Sequence, residues 1–78
     1  MSDSTIQSVD RALTVLRMLA KHGELGVTDI ARKLNVHKST AFRLVTTLET
    51  HDLVEQHADR GKYRLGVGVL QLAGATAA

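Results

Sequence analysis

Residues 28–44 read TDIARKLNVHKSTAFRL, and the spacing of apolar residues within them decides the fold. Ile30, Ala31 and Leu34 make the buried side of a short helix. Thr28 is expected to cap it, with Asp29 in the first turn, where a carboxylate meets the positive end of the helix dipole. Asn35 follows at once. Asparagine tolerates the left-handed backbone conformation that stops a helix and turns the chain sharply. Val36 plugs the corner, and Ala41 and Leu44 hold the next helix against the first, with Ala31 small where the two cross. Two helices joined by so tight a turn form a helix-turn-helix, in which the second helix stands proud of the body.

That second helix is expected to run to about Thr50. At about 100° per residue, Ala41, Leu44, Val45 and Leu48 cover its inner side. Ser39, Arg43, Thr46 and Thr50 lie opposite, with Lys38, Thr40, Phe42 and Thr47 on the flanks. The outward side carries no acid before Glu49. Short hydroxyls permit close approach to base edges, arginine pairs bidentately with guanine, and an aromatic ring or a threonine methyl packs on the thymine methyl. The helix N-terminus, with Lys38 beside it, favours a phosphate. Four threonines and a phenylalanine are poor choices for a merely solvated helix face, so the pattern points to groove recognition.

Upstream, residues 1–7 read as a disordered lead-in. Ser8 is expected to cap a first helix, with Asp10 in its first turn. Val9, Ala12, Leu13, Leu16, Leu19 and Ala20 then follow helical spacing to His22, where Gly23 stops the helix. A second line, Arg11, Val15, Met18 and His22, falls on another side and suggests a second contact surface. The short stretch LGV, residues 25–27, reads as a small edge strand.

Downstream the period shortens to two. LVEQH (53–57) and KYRL (62–65) read as strands joined by ADRG (58–61), with Gly61 supplying the positive φ of a hairpin connection. Leu53, Tyr63 and Leu65 point inward and Lys62 and Arg64 share the other face. A helix-turn-helix followed by a hairpin with a basic tip is a winged helix, so the fold class is mainly α with a small antiparallel β-hairpin. Residues 8–65 form that domain. Residues 66–78 read as the start of a linker helix, spanning about Val67 to Leu72 and weakened by Gly66, Gly68 and Gly74.

Composition sets the outer bounds. Seventy-eight residues allow one domain, and one of this size has marginal stability. There is no cysteine, so disulfides and thiolate zinc ligands are excluded, and no metal site or other cofactor is expected. The net charge of +2 says little, but Arg32, Lys33, Lys38 and Arg43 cluster without an acid, as do Arg60, Lys62 and Arg64. Nucleic-acid binders concentrate charge in this way. No apolar run approaches membrane-spanning length and no secretory leader is visible, so the expected location is the cytoplasm. No phosphate-cradling glycine loop or nucleophile set argues for an enzyme. The rival from another class is a winged helix that binds protein instead of DNA.

With these residues in place, residues 8–72 resemble the N-terminal winged helix-turn-helix domain of the IclR-type bacterial transcription regulators. The stretches that carry the resemblance are SVDRALTVLRMLA, LGVTDIARKLNVHKSTAFRLVTTLE, LVEQ and KYRLG. The resemblance implies a homodimer on a partly palindromic double-stranded DNA operator, the third helix in the major groove and the hairpin wing on the backbone or minor groove. The expected DNA-binding residues are Thr28, Lys38, Ser39, Thr40, Phe42, Arg43, Thr46, Arg60 and Lys62. Arg11, Val15, Met18 and Leu70 are expected to serve dimerisation through the first and linker helices. His37 stands where many relatives have proline, and Asp52 where they have glycine. Such regulators carry a second, effector-sensing domain after the linker. Its absence implies DNA binding without a ligand switch, with a small-molecule effector only in that missing C-terminal domain.

Overall fold

The computed structural model describes residues 4–57 and 61–76. In chain order the elements are α1 (Gln7–His22), β1 (Leu25–Gly26), α2 (Val27–Leu34), α3 (Lys38–Thr50), β2 (Val54–Gln56), β3 (Lys62–Leu65) and α4 (Val67–Thr76). The sheet is antiparallel with strand order β1-β3-β2. Four helices and this small sheet make a winged helix.

The turn between α2 and α3 is built as its sequence requires. Asn35 sits in the left-handed region at φ 57°, ψ 49°. Its N–H donates to the Arg32 carbonyl at 3.1 Å, and the Val36 N–H reaches back to the Ala31 carbonyl at 3.0 Å. This pair of bonds is a Schellman motif, which satisfies carbonyls that the helix end would otherwise orphan. The same device closes α3. Asp52 is left-handed at φ 62°, its N–H bonds the Glu49 carbonyl at 2.9 Å, and Leu53 N–H bonds the Leu48 carbonyl at 3.0 Å. Both ends use a residue with a Cβ where glycine would be unstrained.

The helix starts differ from expectation. Neither Ser8 nor Thr28 is a cap: α1 begins at Gln7 behind Ile6, and α2 begins at Val27 behind Gly26, with no side-chain cap bond at either. Glycine is itself an accepted N-cap, so the chain enters α2 directly from β1. The lead-in expected over residues 1–7 is helical from Gln7, and residues 1–3 lie outside the described residues.

The core gathers Val15 and Leu19 from α1, Leu25 from β1, Ile30 and Ala31 from α2, Ala41, Val45 and Leu48 from α3, Val54 from β2 and Tyr63 from β3. Fully burying side chains such as Leu19, Ile30 and Val45 contributes about 1.5–3 kcal/mol each. This core corrects the expected orientation of α1. Val15 is 0% exposed and Met18 packs against the core, so that line is no free contact surface. Val9 and Leu13, expected inside, are each 52% exposed. The buried line runs between the two apolar stripes, because the helix presents Ala12, Val15 and Leu19 to α3 and the sheet. On α3, Ala41, Val45 and Leu48 are buried as expected, whereas Leu44 is only half-buried.

In the sheet, Leu25 lies opposite Tyr63, and Val54, Glu55 and Gln56 lie opposite Leu65, Arg64 and Tyr63. Tyr63 on the central strand is buried, while Leu53 and Leu65 pack partly against the core. Val54 supplies the fully buried β2 residue. Gly61 has φ 65°, as the connection required. The final helix is longer than expected and reaches Thr76. Gly66 and Gly68 do not merely weaken it. A Cβ on either would stand 2.5 or 2.6 Å from the Asp52 carbonyl oxygen, so the close approach demands glycine.

Asp52→Gly removes a left-handed Cβ and should raise stability to urea by about 1 kcal/mol, whereas Asn35→Ala should lower it by a similar amount. Burial, with the nearby Glu49 charge adding to it, pushes the Tyr63 phenol above its ordinary 10.0. The unfolded chain therefore ionises first as pH rises, so stability is whole below pH 10 and declines above it. Tyr63→Phe should remove that alkaline decline in urea titrations run at increasing pH.

Candidate nucleic-acid interface

The core explains why α3 presents the face it does. With Ala41, Val45 and Leu48 turned inward, the helical repeat forces Ser39, Arg43, Thr46 and Thr50 outward. Lys38, Ser39, Arg43 and Thr50 are exposed, Thr40 and Thr46 are half-buried, and Phe42 keeps 51% of its surface in solvent. These residues share one helix, with Thr40 and Phe42 on opposite flanks of its outward face. The entry residue His37 is extended at ψ 152° and makes no side-chain cap bond, so the first N–H groups of α3 open to solvent beside Lys38. Unpartnered helix N–H groups next to a cation suit a phosphate oxygen.

The threonines are not equivalent hydroxyls. Thr46 Oγ1 donates to the Phe42 carbonyl at 2.9 Å and approaches that of Arg43 at 3.1 Å; Thr47 Oγ1 donates to the Arg43 carbonyl at 2.8 Å, and Thr50 Oγ1 to Thr46 at 3.0 Å. Each donor proton is thus used within the helix. Toward an incoming ligand these residues offer oxygen lone pairs and methyl groups, which suit amino groups and thymine methyls. Ser39 and Thr40 make no such bond among the described residues, so they remain able to donate. Sequence reasoning missed this division, although the spacing of Thr46 and Thr47 to a carbonyl four residues back carried it.

Charge is also sorted by pairing. Arg64 bonds Glu55 across β2 and β3 at 2.7 Å, and Arg32 bonds Asp29 at 2.7 Å on α2. Among the described residues Lys38, Arg43 and Lys62 have no ion-pair partner. Of the expected basic cluster Arg60, Lys62 and Arg64, the described residues thus show Arg64 compensated and Lys62 without an ion-pair partner. The cross-strand pairing of Glu55 with Arg64 was the signal. Arg60 lies outside the described residues. Thr28 is exposed in the first turn of α2 and Lys62 is exposed at the start of β3, both on elements other than α3.

A groove of about 400 Å³ separates the first half of α1 from the flank of α3. Val9, Ala12 and Leu13 line one wall and Thr40, Arg43 and Leu44 the other. The Arg43 side chain thus borders an apolar wall on the α1 side, while the residue as a whole remains exposed. Of the expected dimerisation residues, Val15 is withdrawn into the core and Met18 packs against it. Arg11 is half-buried and Leu70 is 72% exposed. Among the described residues no cluster of His, Asp and Glu could hold a metal ion, and no helix is long and apolar enough to cross a membrane.

Comparison with known proteins gives a consistent picture. Residues 8–58 match the IclR helix-turn-helix domain. The HTH-type transcriptional regulator XynR of Escherichia coli (strain K12) is 40% identical over 67 residues, which cover 85% of this chain and 27% of that protein. The Glycerol operon regulatory protein of Streptomyces coelicolor is 45% identical over 69 residues, covering 86% of this chain and 27% of the relative. The chain thus spans about a quarter of the length of the relatives it matches. Among solved structures, the IclR transcriptional regulator from Alicyclobacillus acidocaldarius superposes with a TM-score of 0.88 at 33% identity, covering 94% of this chain and 30% of that one. The IclR family transcriptional regulator from Brucella abortus gives 0.82 at 34% identity, with 94% and 28% coverage.

Proposed function

The chain belongs to the IclR helix-turn-helix family, as a DNA-binding domain of a transcription regulator, and from that premise we propose which of its atoms meet the duplex and how. The outward face of α3 enters the major groove. Arg43 reads a guanine edge, Phe42 and the Thr46 methyl contact thymine methyls, and Ser39 and Thr40 bond base edges or phosphates. Lys38 and the open start of α3 hold one phosphate, and Thr28 at the start of α2 approaches another. Lys62 and Arg60 bring the β2–β3 wing to the backbone or the minor groove.

One observation carries this reading: the exposed face of α3 holds Lys38 and Arg43 without an ion-pair partner among the described residues and without an acid before Glu49. A duplex presents a dense row of negative charge, and this face leaves its own cations uncompensated for it. Two copies binding a partly palindromic operator follow from the family resemblance, and exposed Val67, Leu70 and Leu72 on α4 give such a pair an apolar surface to share. The cytoplasm, on the nucleoid, is the matching location. We assign the chain no reaction, and any effector site belongs to the remaining length that the relatives have.

Bound duplexes selected from a random library at fixed salt supply the operator on which the assignment is tested. Arg43→Ala should cost about 1–3 kcal/mol of affinity and relax base preference at its position, and Lys62→Ala should weaken all sequences alike and reduce the salt slope by about one. Operator affinity unchanged in Arg43→Ala contradicts the assignment of the reading face. Partner binding that ignores salt fits the protein-interaction winged helix instead.

A further inference from the structure

Two backbone hydrogen bonds join the end of α3 to the start of α4. The Asp52 carbonyl, at the left-handed residue that ends α3, accepts the Gly68 N–H at 2.7 Å, and the Leu53 carbonyl accepts the Gly66 N–H at 2.9 Å. An orphaned carbonyl from the end of one helix thus satisfies an orphaned N–H from the start of the next. A Cβ on Gly66 would sit 2.5 Å from the Asp52 oxygen and 3.2 Å from the Val54 nitrogen, and one on Gly68 would sit 2.6 Å from the Asp52 oxygen and 3.0 Å from the His51 oxygen. These obstacles are backbone atoms in a hydrogen-bonded turn, and they cannot swing aside as a flexible side chain would. Gly74, on the same helix, has nothing within 4 Å of its Cβ position. The first two glycines are demanded by contact, and the third is not.

We propose that Gly66 and Gly68 are positioning residues: they lock the direction of α4 to the C-terminal turn of the DNA-reading helix, so that whatever α4 leads to is held at a fixed angle to the bound duplex. The joint has little slack. Its two hydrogen bonds flank the Asp52 turn, which is itself closed by bonds to Glu49 and Leu48. Rotation of α4 has to break these bonds or drag the end of α3 with it. On the proposed function, on which the DNA part of this inference rests, the joint sets the separation at which two copies meet their half-sites.

The test has a structural arm and a DNA arm. In partially aligned wild-type protein, residual dipolar couplings from residues 67–72 should fit the same alignment tensor as α1–α3. Couplings that demand a separate tensor overturn the proposal, and this measurement needs no variant to fold. Gly68→Ala should detach α4 from that common tensor while α1–α3 keep theirs, and Gly74→Ala should leave it attached. Detachment in both variants, or in neither, overturns the role given to Gly68. On DNA, Gly68→Ala should keep affinity for a single half-site and lose the wild-type preference for one half-site separation. Retention of that preference overturns the link to spacing. Failure of wild-type protein to bind a single half-site would count against the proposed function, with the alignment result still deciding the joint.

Discussion

The left-handed turn at Asn35 is the constraint on which the rest of the structure depends. Its two backbone bonds end α2 and start α3 within three residues, which brings Ile30 and Ala31 against Ala41 and Val45 in the core. Once those residues are inside, the helical repeat leaves no choice about which ones face out. The exposure of Ser39 and Arg43 is a consequence of where Ala41 and Val45 are buried. A slip of one residue in the turn would rotate α3 by about 100° and put Phe42 where Ala41 now packs.

The outward face of α3 inherits its chemistry from that rotation. Helix geometry directs the donor protons of Thr46, Thr47 and Thr50 back to their own backbone, leaving methyls and lone pairs outward. Pairing removes Arg64 and Arg32 from the pool of free cations. On α3 and the start of β3 this leaves Lys38, Arg43 and Lys62 as charges, Ser39 and Thr40 as donors, and Phe42 as an exposed ring. The sheet keeps the wing attached, since β3 pairs on both edges and buries Tyr63 beneath them.

Much of this was legible in the sequence because it rests on local rules. Asn35, the Ala41/Val45/Leu48 spacing and the KYRL alternation each have one reasonable structural outcome, and the structure adopts it. The rest was hidden because it depends on what an element packs against. The sequence of α1 offers two apolar stripes, and only the positions of α3 and the sheet select the line between them that is buried. That choice places Val15 in the core and leaves Val9 and Leu13 at the surface. The start of α2 was misread because Gly26 is at once the last residue of β1 and the cap of the helix. Gly66 and Gly68 looked like residues that only weaken a helix, since a one-dimensional reading contains nothing of the Asp52 carbonyl they accommodate.

The central claim is that burial of one side of α3 delivers the opposite side to a duplex. Backbone amide shift mapping on addition of a selected operator tests it directly. The account predicts the largest changes at residues 38–46, a second group at Lys62 on the wing, and little change at Arg17 and Lys21 on α1. Changes centred on α1 or α4, with α3 unmoved, would contradict it.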